Sequence, residues 1–309
     1  MLALSSDLMR EMTFDIETSF LKKQIALDNH IFVAGLARSG TTSLLNALHE
    51  SNQFASLSYA DMPFVMAPNL WSKLSNFIQH EHLTERAHGD GIMVSTNSPE
   101  AFEEVFWNTF GDDEKESIEK FKTYIACIIN RCKKNRYLSK NNQNVRRLKL
   151  INTIFPNSII LIPFRDPLQH SNSLLNQHLR FITASREDSF ISNYMGWIGH
   201  TEFGPKYKSI IASNLQFTND LEINHWLEQW YLTYKNLNQL SRTISNTYFV
   251  CYESLCNSKK TWGEITRLAD VSNSSYEFYE SKKDISHEIN PNILKDCNLI
   301  YEQLGKKSV

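Results

Sequence analysis

The chain has 309 residues, of which 41% are hydrophobic and 21% charged. This composition supports a substantial core and excludes a globally disordered protein. With 32 Lys and Arg against 34 Asp and Glu, the formal net charge is -2, which argues against a protein that coats nucleic acid through its overall charge. We therefore expect no nucleic-acid partner.

The sequence contains no sign of a secretory leader, a membrane span or a metal centre. No segment approaches the roughly 20 apolar residues that cross a bilayer, and the N-terminus has no apolar run of signal-peptide length. The five cysteines have neither zinc-type spacing nor neighbouring histidine ligands, so we expect reduced, mostly buried thiols. Together these features predict a cytoplasmic protein without a membrane span or a bound metal.

Three short apolar segments, rich in β-branched residues, predict buried strands. They are His30–Ala34, Ser158–Phe164 and Thr247–Tyr252. Each is followed by a segment of helical character, and these are Thr41–His49, Leu168–Arg180 and Lys259–Ala269. Strands that alternate with helices in this way predict an α/β fold, with a parallel sheet flanked by helices.

A long helical insertion, roughly residues 70–155, separates the first two predicted strands. Its predicted helices are Pro99–Phe110, Asp113–Lys133 and Asn144–Phe155. A further helix near Leu221–Arg242 carries Trp226 and Trp230 four residues apart, a spacing that indicates packing into the core. Because we find no internal repeat and no low-complexity linker, we expect a single domain over residues 1–309.

The loop after the first predicted strand carries the strongest functional signal. Gly35 and Gly40 bracket this loop, and an amphipathic helix follows it. The helix start holds four anion-seeking side chains: Arg38, Ser39, Thr41 and Thr42. Loop amides and a helix N-terminus favour phosphate, so the segment predicts an anion site. The glycine spacing is that of a nucleoside-triphosphate P-loop, but Thr41 stands where the Walker A pattern requires Lys.

The sequence GLARSGTTSLL resembles the 5′-phosphosulfate-binding loop of sulfotransferases, G-x-P-R-S-G-T-T-x-L, with Ala37 in place of the usual Pro. This resemblance implies a P-loop-like fold and the donor 3′-phosphoadenosine-5′-phosphosulfate (PAPS). It also implies which residues hold the 5′-phosphosulfate: Arg38, Ser39, Gly40, Thr41, Thr42 and Ser43.

The second predicted strand ends at Arg165, and Pro167 suits the first turn of the helix that follows. Ser173 lies about two helical turns beyond Arg165. An arginine fork and a hydroxyl suit a second phosphate, although Arg-Asp-Pro alone equally indicates a helix start with an ion pair. The sequence FRDPLQHSNSLL is similar to the sulfotransferase 3′-phosphate motif, which implies that Arg165 and Ser173 bind the 3′-phosphate of PAPS.

Transfer to a hydroxyl needs a base for the acceptor proton. In sulfotransferases that use a carboxylate, the acid follows the first helix, and Asp61 is the only acid in that region here. Asp61 equally suits a loop or helix cap, and Tyr59 is an alternative group to orient the acceptor. His88 with Asp90, in a glycine-flanked loop, is a second candidate, and His200 is a third.

The segment Arg131–Lys149 contains eight basic residues and no acid. Such a run is typical of a solvated helix face, although it also suits the steering of an anionic donor. Within it, Tyr137–Leu148 resembles the K-[TSN]-P segment of sulfotransferases, with Asn142 in place of the Pro. This resemblance implies an active-site position for Lys140.

The last predicted strand runs into Val250–Leu255, which looks like the R-Y-E-x-L strand of bacterial and Golgi-type sulfotransferases. We expect structural roles for Tyr252 and Glu253 in the first place.

We therefore predict a PAPS-dependent sulfotransferase that sulfates an acceptor hydroxyl, and the resemblance to glycan-type members implies a carbohydrate acceptor. The residues expected to carry the chemistry are Arg38, Asp61, His88 and Lys140. One alternative is an ATP-dependent kinase, against which stand the missing Walker A lysine and the lack of a clear Mg²⁺-binding acid, since Asp166 is the only nearby candidate. The other is a polyanion-binding module without catalysis. The sulfotransferase prediction requires Arg38 and Arg165 to lie near enough for one adenosine to bridge them.

Overall fold

The computed structural model describes residues 2–21, 28–75, 84–85, 93–112, 115–212, 215–272, 275–280 and 282–309. Its central sheet consists of five parallel strands: β1 Ile31–Val33, β2 Phe54–Ala55, β5 Arg136–Lys140, β6 Ile159–Phe164 and β7 Thr247–Cys251. Two further strands, β3 Thr84–Glu85 and β4 Met93–Val94, pair antiparallel outside this sheet. The order across the sheet is β2-β5-β1-β6-β7, so β1 occupies the middle.

Helices make up most of the remaining described chain. Those before β5 are α1 Leu2–Ser5, α2 Asp7–Ser19, α3 Thr41–His49, α4 Pro68–Ser75, α5 Glu103–Phe110 and α6 Lys115–Cys132. Those after β5 are α7 Leu148–Ile154, α8 Pro167–Glu187, α9 Ser189–Trp197, α10 Ile223–Leu240, α11 Tyr252–Asn257, α12 Lys259–Leu268 and α13 Pro291–Gly305. Two 3₁₀ turns, Tyr59–Asp61 and Asn142–Arg146, complete the set of described helical elements.

Helices cover both faces of the sheet. Successive residues of a strand point to opposite faces, and the apolar side chains on each face are buried by the helices packed against it. Ile31 and Val33 pack with α3 and α12 on one face. Phe32 packs on the other face with side chains of α5, α6, α8 and α10. Trp226 and Trp230 are buried on this second face, which confirms their prediction as core residues.

The predicted α/β fold with a parallel sheet is confirmed, and the three predicted strands agree with β1, β6 and β7 to within one residue at each end. The insertion of residues 70–155 is not only helical, since it also contains β5, which pairs with β1; β2, which lies before the insertion, was not predicted either and extends the sheet beyond β5. The assignment of the whole chain to one domain stays a prediction.

The prediction that Arg131–Lys149 forms a solvated helix face is wrong. The run begins at the end of α6, continues through β5 and ends in α7. Lys140 and Arg147 are only 7% and 6% exposed. Arg147 forms a bidentate ion pair with Glu104, at 2.7 and 2.9 Å. The strand was missed because its charged residues interrupt the apolar pattern from which buried strands are recognised.

All five cysteines are free thiols and three of them are buried, as predicted. In the described ranges, no helix combines the length and the apolar character that crossing a membrane requires. The cytoplasmic location stays a prediction.

Candidate functional site

The carboxyl ends of β5, β1, β6 and β7 lie along one edge of the sheet, where parallel α/β folds bind their ligands. A cavity of about 570 Å³ opens at this edge. Its walls include Arg38, Lys140, Arg165 and Tyr252, each of which lies at or just after the end of a different strand. The sheet therefore assembles the cavity from four distant segments of the chain.

The loop after β1 turns into α3 at Gly40, which has a φ of 95° and serves as the helix N-cap. A Cβ atom at Gly40 would lie 2.2 Å from Cδ2 of Tyr252, so both conformation and space require glycine. Thr41, Thr42 and Ser43 line the cavity at this helix start. No described side chain caps the helix. Its first amides are therefore oriented to receive an anion.

Two buried side chains support the loop from the protein interior. The Ser39 hydroxyl donates to the carbonyl oxygen of Leu36 at 2.8 Å, and the serine is fully buried. His170 of α8 places Nε2 2.7 Å from the carbonyl oxygen of Ala37. Burial lowers the pKa of His170 to about 3, so the imidazole is neutral and Nε2 donates this bond. The Ser39 side chain thus shapes the loop and does not reach the cavity.

Arg38 and Arg165, predicted from separate motifs, lie beside each other. Arg38 has a φ of 69° in the loop, and its Nε donates to Ser173 Oγ at 3.2 Å. Arg165 Nη1 donates to the carbonyl oxygen of Arg38, also at 3.2 Å. The structure therefore brings the predicted 5′- and 3′-phosphate residues to one place, as the sequence prediction requires.

Tyr252 and Glu253, which follow β7, position the Arg165 guanidinium. This group lies 5.6 Å from the centroid of the Tyr252 ring. Glu253 Oε1 is 4.0 Å from Arg165 Nε and accepts the backbone N–H of Asp166 at 2.9 Å. These contacts agree with the structural roles expected for the pair, and Tyr252 also forms part of the cavity wall.

Lys140, the last residue of β5, reaches the cavity from the strand beside β1. Its backbone is in register with Val33, and the next amide, of Asn141, donates to the Val33 carbonyl oxygen at 3.1 Å. The Asn141 side chain accepts from the Gln143 amide at 3.0 Å and caps the following 3₁₀ turn. Strand pairing thus delivers a lysine to a site whose loop lacks the Walker A lysine.

Asp61 lies away from the cavity. Its carboxylate is 1% exposed and accepts from the Ser58 amide at 2.7 Å and from the Ser58 hydroxyl at 3.1 Å. Oδ1 lies 3.0 Å from Arg131 Nη2. Burial raises the pKa of Asp61 despite this ion pair. These contacts are those of a capping residue, and the structure does not bring Asp61 together with Arg38 or Lys140.

The other two predicted base candidates have different outcomes. His88 and Asp90 lie outside the described residues. His200 lines the cavity, and its Nε2 lies 2.9 Å from the carbonyl oxygen of Ala101. A bond to a carbonyl oxygen requires a proton on Nε2, which leaves the lone pair of a neutral ring on Nδ1.

Glu100, which the sequence analysis missed, is an acid that lines the cavity together with His200. It is 9% exposed; Oε1 accepts from the Ala101 amide at 2.8 Å and Oε2 accepts from the Tyr59 hydroxyl at 2.5 Å. Its own amide donates to the Leu57 carbonyl oxygen at 3.0 Å. Glu100 was missed because it lies in the first turn of the predicted helix Pro99–Phe110. Acids are common at that position, where they interact favourably with the helix dipole.

Within the described ranges, no group of three or more His, Cys, Asp or Glu side chains is arranged to hold a metal ion. Asp166, the acid considered for Mg²⁺, accepts the Gln169 amide at 2.8 Å and caps α8. The capping bond gives Asp166 a structural role at the helix start.

Residues 30–200 match the profile of the Sulfotransferase family. The fold is similar to that of a sulfotransferase from Mycobacterium tuberculosis, with a TM-score of 0.57, 12% identity, and coverage of 97% of this chain and 83% of the other. It is also similar to a sulfotransferase from Mycobacterium avium, with a TM-score of 0.51, 11% identity, and coverage of 96% and 74%. No curated protein matches the chain.

Proposed function

Because the chain belongs to the sulfotransferase family, we propose that it uses PAPS as donor and transfers the sulfuryl group to an acceptor hydroxyl. A carbohydrate is the proposed acceptor, on the resemblance of its motifs to those of glycan-type members.

The observation that carries the PAPS assignment is the juxtaposition of Arg38 and Arg165. PAPS carries anionic groups at two separate positions of one nucleoside, so its site needs cations from two places. The cavity fits this requirement, since its wall holds both guanidinium groups and the start of α3. Gly40 supports the fit, because a Cβ at this position would meet the Tyr252 ring, which forms part of the cavity wall.

PAPS, when bound, supplies the sulfuryl group and leaves as adenosine 3′,5′-bisphosphate. We assign Arg38 and Lys140 to the negative charge that develops on the 5′-phosphate as its bond to sulfur breaks. Thr41 and Thr42 hold the same phosphate through the start of α3. Arg165 and Ser173 hold the 3′-phosphate, where the guanidinium fork offers two parallel donors.

Glu100 is the proposed base. Its carboxylate lies in the cavity wall and is oriented by the Tyr59 hydroxyl and the Ala101 amide, and a general base needs such a fixed position. In the transfer, the acceptor oxygen forms a bond to sulfur, its proton moves to Glu100, and the electron pair of the broken S–O bond stays on the 5′-phosphate. Asp61 is not retained in this role, because Ser58 and Arg131 already engage its carboxylate away from the cavity.

Calorimetric titration with adenosine 3′,5′-bisphosphate tests the donor assignment. We expect micromolar binding without magnesium, and about 10²-fold weaker binding by Arg38→Ala, since two charge-assisted contacts are lost. If the protein binds ATP with magnesium and does not bind the bisphosphate, the result indicates a kinase and contradicts the assignment. Binding of bisphosphate without PAPS turnover in the presence of hydroxyl acceptors indicates a polyanion-binding module.

A matched pair of variants tests the base. With PAPS and a hydroxyl acceptor, Glu100→Gln is expected to reduce kcat by about 10²- to 10⁴-fold and leave bisphosphate affinity unchanged. Asp61→Asn, which makes the same chemical change outside the cavity, is expected to keep kcat within a few-fold. The reverse pattern returns the role to Asp61, and loss of kcat in His200→Gln alone assigns it to the histidine.

A further inference from the structure

Beside Lys140, the cavity wall contains a pair of side chains that the transfer chemistry does not use. Asn142 begins the 3₁₀ turn after β5, and Glu202 lies in the turn after α9. Asn142 is 6% exposed and Glu202 is 8% exposed. Asn142 Nδ2 donates to Glu202 Oε1 at 3.2 Å.

This pair presents a carboxylate and an amide oxygen to a ligand. One N–H of the Asn142 amide is directed to Glu202, and Asn142 Oδ1 has no hydrogen-bond partner among the described residues. Glu202 forms no ion pair with a described cation. A nearly buried carboxylate and a buried amide oxygen are costly to leave unsatisfied, so both favour a ligand that donates hydrogen bonds.

The backbone holds Glu202 in a fixed position. The His200 amide donates to the Met195 carbonyl oxygen at 2.9 Å, and the Lys208 amide donates to the Thr201 carbonyl oxygen at 2.8 Å. The Gly204 amide donates to His178 Nδ1 at 3.2 Å. The carboxylate is therefore presented by a turn that is tied to the fold on both sides, as a recognition residue requires.

The geometry points to Glu202 and Asn142 as an acceptor-recognition site for a donor-rich group without negative charge, either a protonated amine or a pair of sugar hydroxyls. The inference rests on the proposed function, because it concerns the acceptor of the same reaction. It excludes an acceptor that carries a carboxylate, sulfate or phosphate at this position, since a like charge beside Glu202 is repelled. It also distinguishes the roles of two cavity acids, with Glu100 at the reacting hydroxyl and Glu202 at its neighbour.

Titration by NMR of the protein with adenosine 3′,5′-bisphosphate bound tests this site. The probes are the methyl glycosides of glucose, glucosamine and glucuronic acid, which differ in the charge that they carry. We expect the glucoside or the glucosaminide to bind about tenfold or more tightly than the glucuronide. A stronger glucosaminide identifies the amine, and equal binding of the two identifies sugar hydroxyls.

Glu202→Gln keeps the shape of the side chain and removes its charge, so it is expected to abolish the discrimination against the glucuronide. Glu11→Gln, an exposed position on α2, removes the same charge elsewhere and is expected to leave all affinities unchanged. The inference is overturned if the glucuronide binds as tightly as the other probes, if Glu202→Gln preserves the order, or if no probe binds at millimolar concentration. Bisphosphate binding is measured separately, so failure of the donor assignment is seen independently.

Discussion

Replacement of Gly40 by alanine separates two physical reasons for glycine at the start of α3. The first is conformational: at a φ of 95°, an L-residue is strained by roughly 1–2 kcal/mol. The second is spatial: the new Cβ would lie 2.2 Å from Cδ2 and 2.4 Å from Cε2 of Tyr252. Overpacking of this kind costs about 1–3 kcal/mol, so the two effects together destabilise the fold by about 2–5 kcal/mol.

Thermal unfolding measures this change directly. Unfolding entropies of about 2.1 cal/mol/K per residue predict that Gly40→Ala lowers the melting temperature of this 309-residue chain by about 3–8 °C. Because the Tyr252 ring must move, we also expect weaker binding of adenosine 3′,5′-bisphosphate. In a Tyr252→Ala background the steric part is absent, and the cost of Gly40→Ala is expected to fall to the conformational part, about 1–2 kcal/mol.

Two other glycines provide controls. Gly111 has a φ of 73° and a ψ of 178°, a region that is almost restricted to glycine, and nothing lies within 4 Å of its added Cβ, so Gly111→Ala is expected to carry a purely conformational cost of about 1–3 kcal/mol. Gly263, inside α12, has neither constraint, and Gly263→Ala is expected to stabilise by about 0.5–1 kcal/mol. The reasoning is refuted if the cost of Gly40→Ala is the same with and without the Tyr252 ring, or if Gly40→Ala is as well tolerated as Gly263→Ala.

Three further predictions concern Arg165, His170 and Arg147. Arg165→Ala is expected to weaken adenosine 3′,5′-bisphosphate about 10- to 100-fold and to leave adenosine 5′-phosphate unchanged, by calorimetry; equal losses for both nucleotides contradict the 3′-phosphate role. The folded-state pKa of His170, lowered by burial to about 3 from its unfolded 6.5, stabilises the fold above pH 6.5 and loses this effect as the pH falls toward 3. Between pH 7 and 5, the free energy of unfolding of the wild type, measured with urea, should therefore fall by about 2 kcal/mol more than that of His170→Gln. If the two proteins lose the same free energy of unfolding over this range, the imidazole is accessible to water in the folded state. Arg147→Met leaves Glu104 buried without its ion pair and is expected to cost about 3–5 kcal/mol in the same assay, whereas a loss below 1 kcal/mol would mean that the carboxylate reaches water.

The parts of the site that the sequence indicated are those where a strand, a loop and a helix follow each other directly. Arg38, Thr41 and Thr42 belong to one such junction, and Arg165 with Ser173 belongs to another. Apolar strands, glycines at a turn and hydroxyls at a helix start are local features, so their pattern survives in a linear sequence.

The position of Glu100, in contrast, could not be predicted from the local sequence. Glu100 joins the cavity because its backbone is hydrogen-bonded to Leu57, and its carboxylate is fixed by Tyr59, which is 41 residues away in sequence. A contact between residues distant in sequence also decided the role of Asp61. Its local position suited a base, but its carboxylate forms an ion pair with Arg131. Only the tertiary path of the chain between α3 and α5 decided that Glu100, and not Asp61, lines the cavity.

The sequence by itself thus determined the family motifs, the α/β class and the two strand-to-helix junctions that carry Arg38 and Arg165. The tertiary structure decided the position of β5 next to β1, which carries Lys140 to the cavity, and the meeting of Asn142 with Glu202 across 60 residues of chain. The physical reason is that propensity and capping act over a few residues, whereas burial and charge pairing depend on contacts that exist only after the sheet has formed.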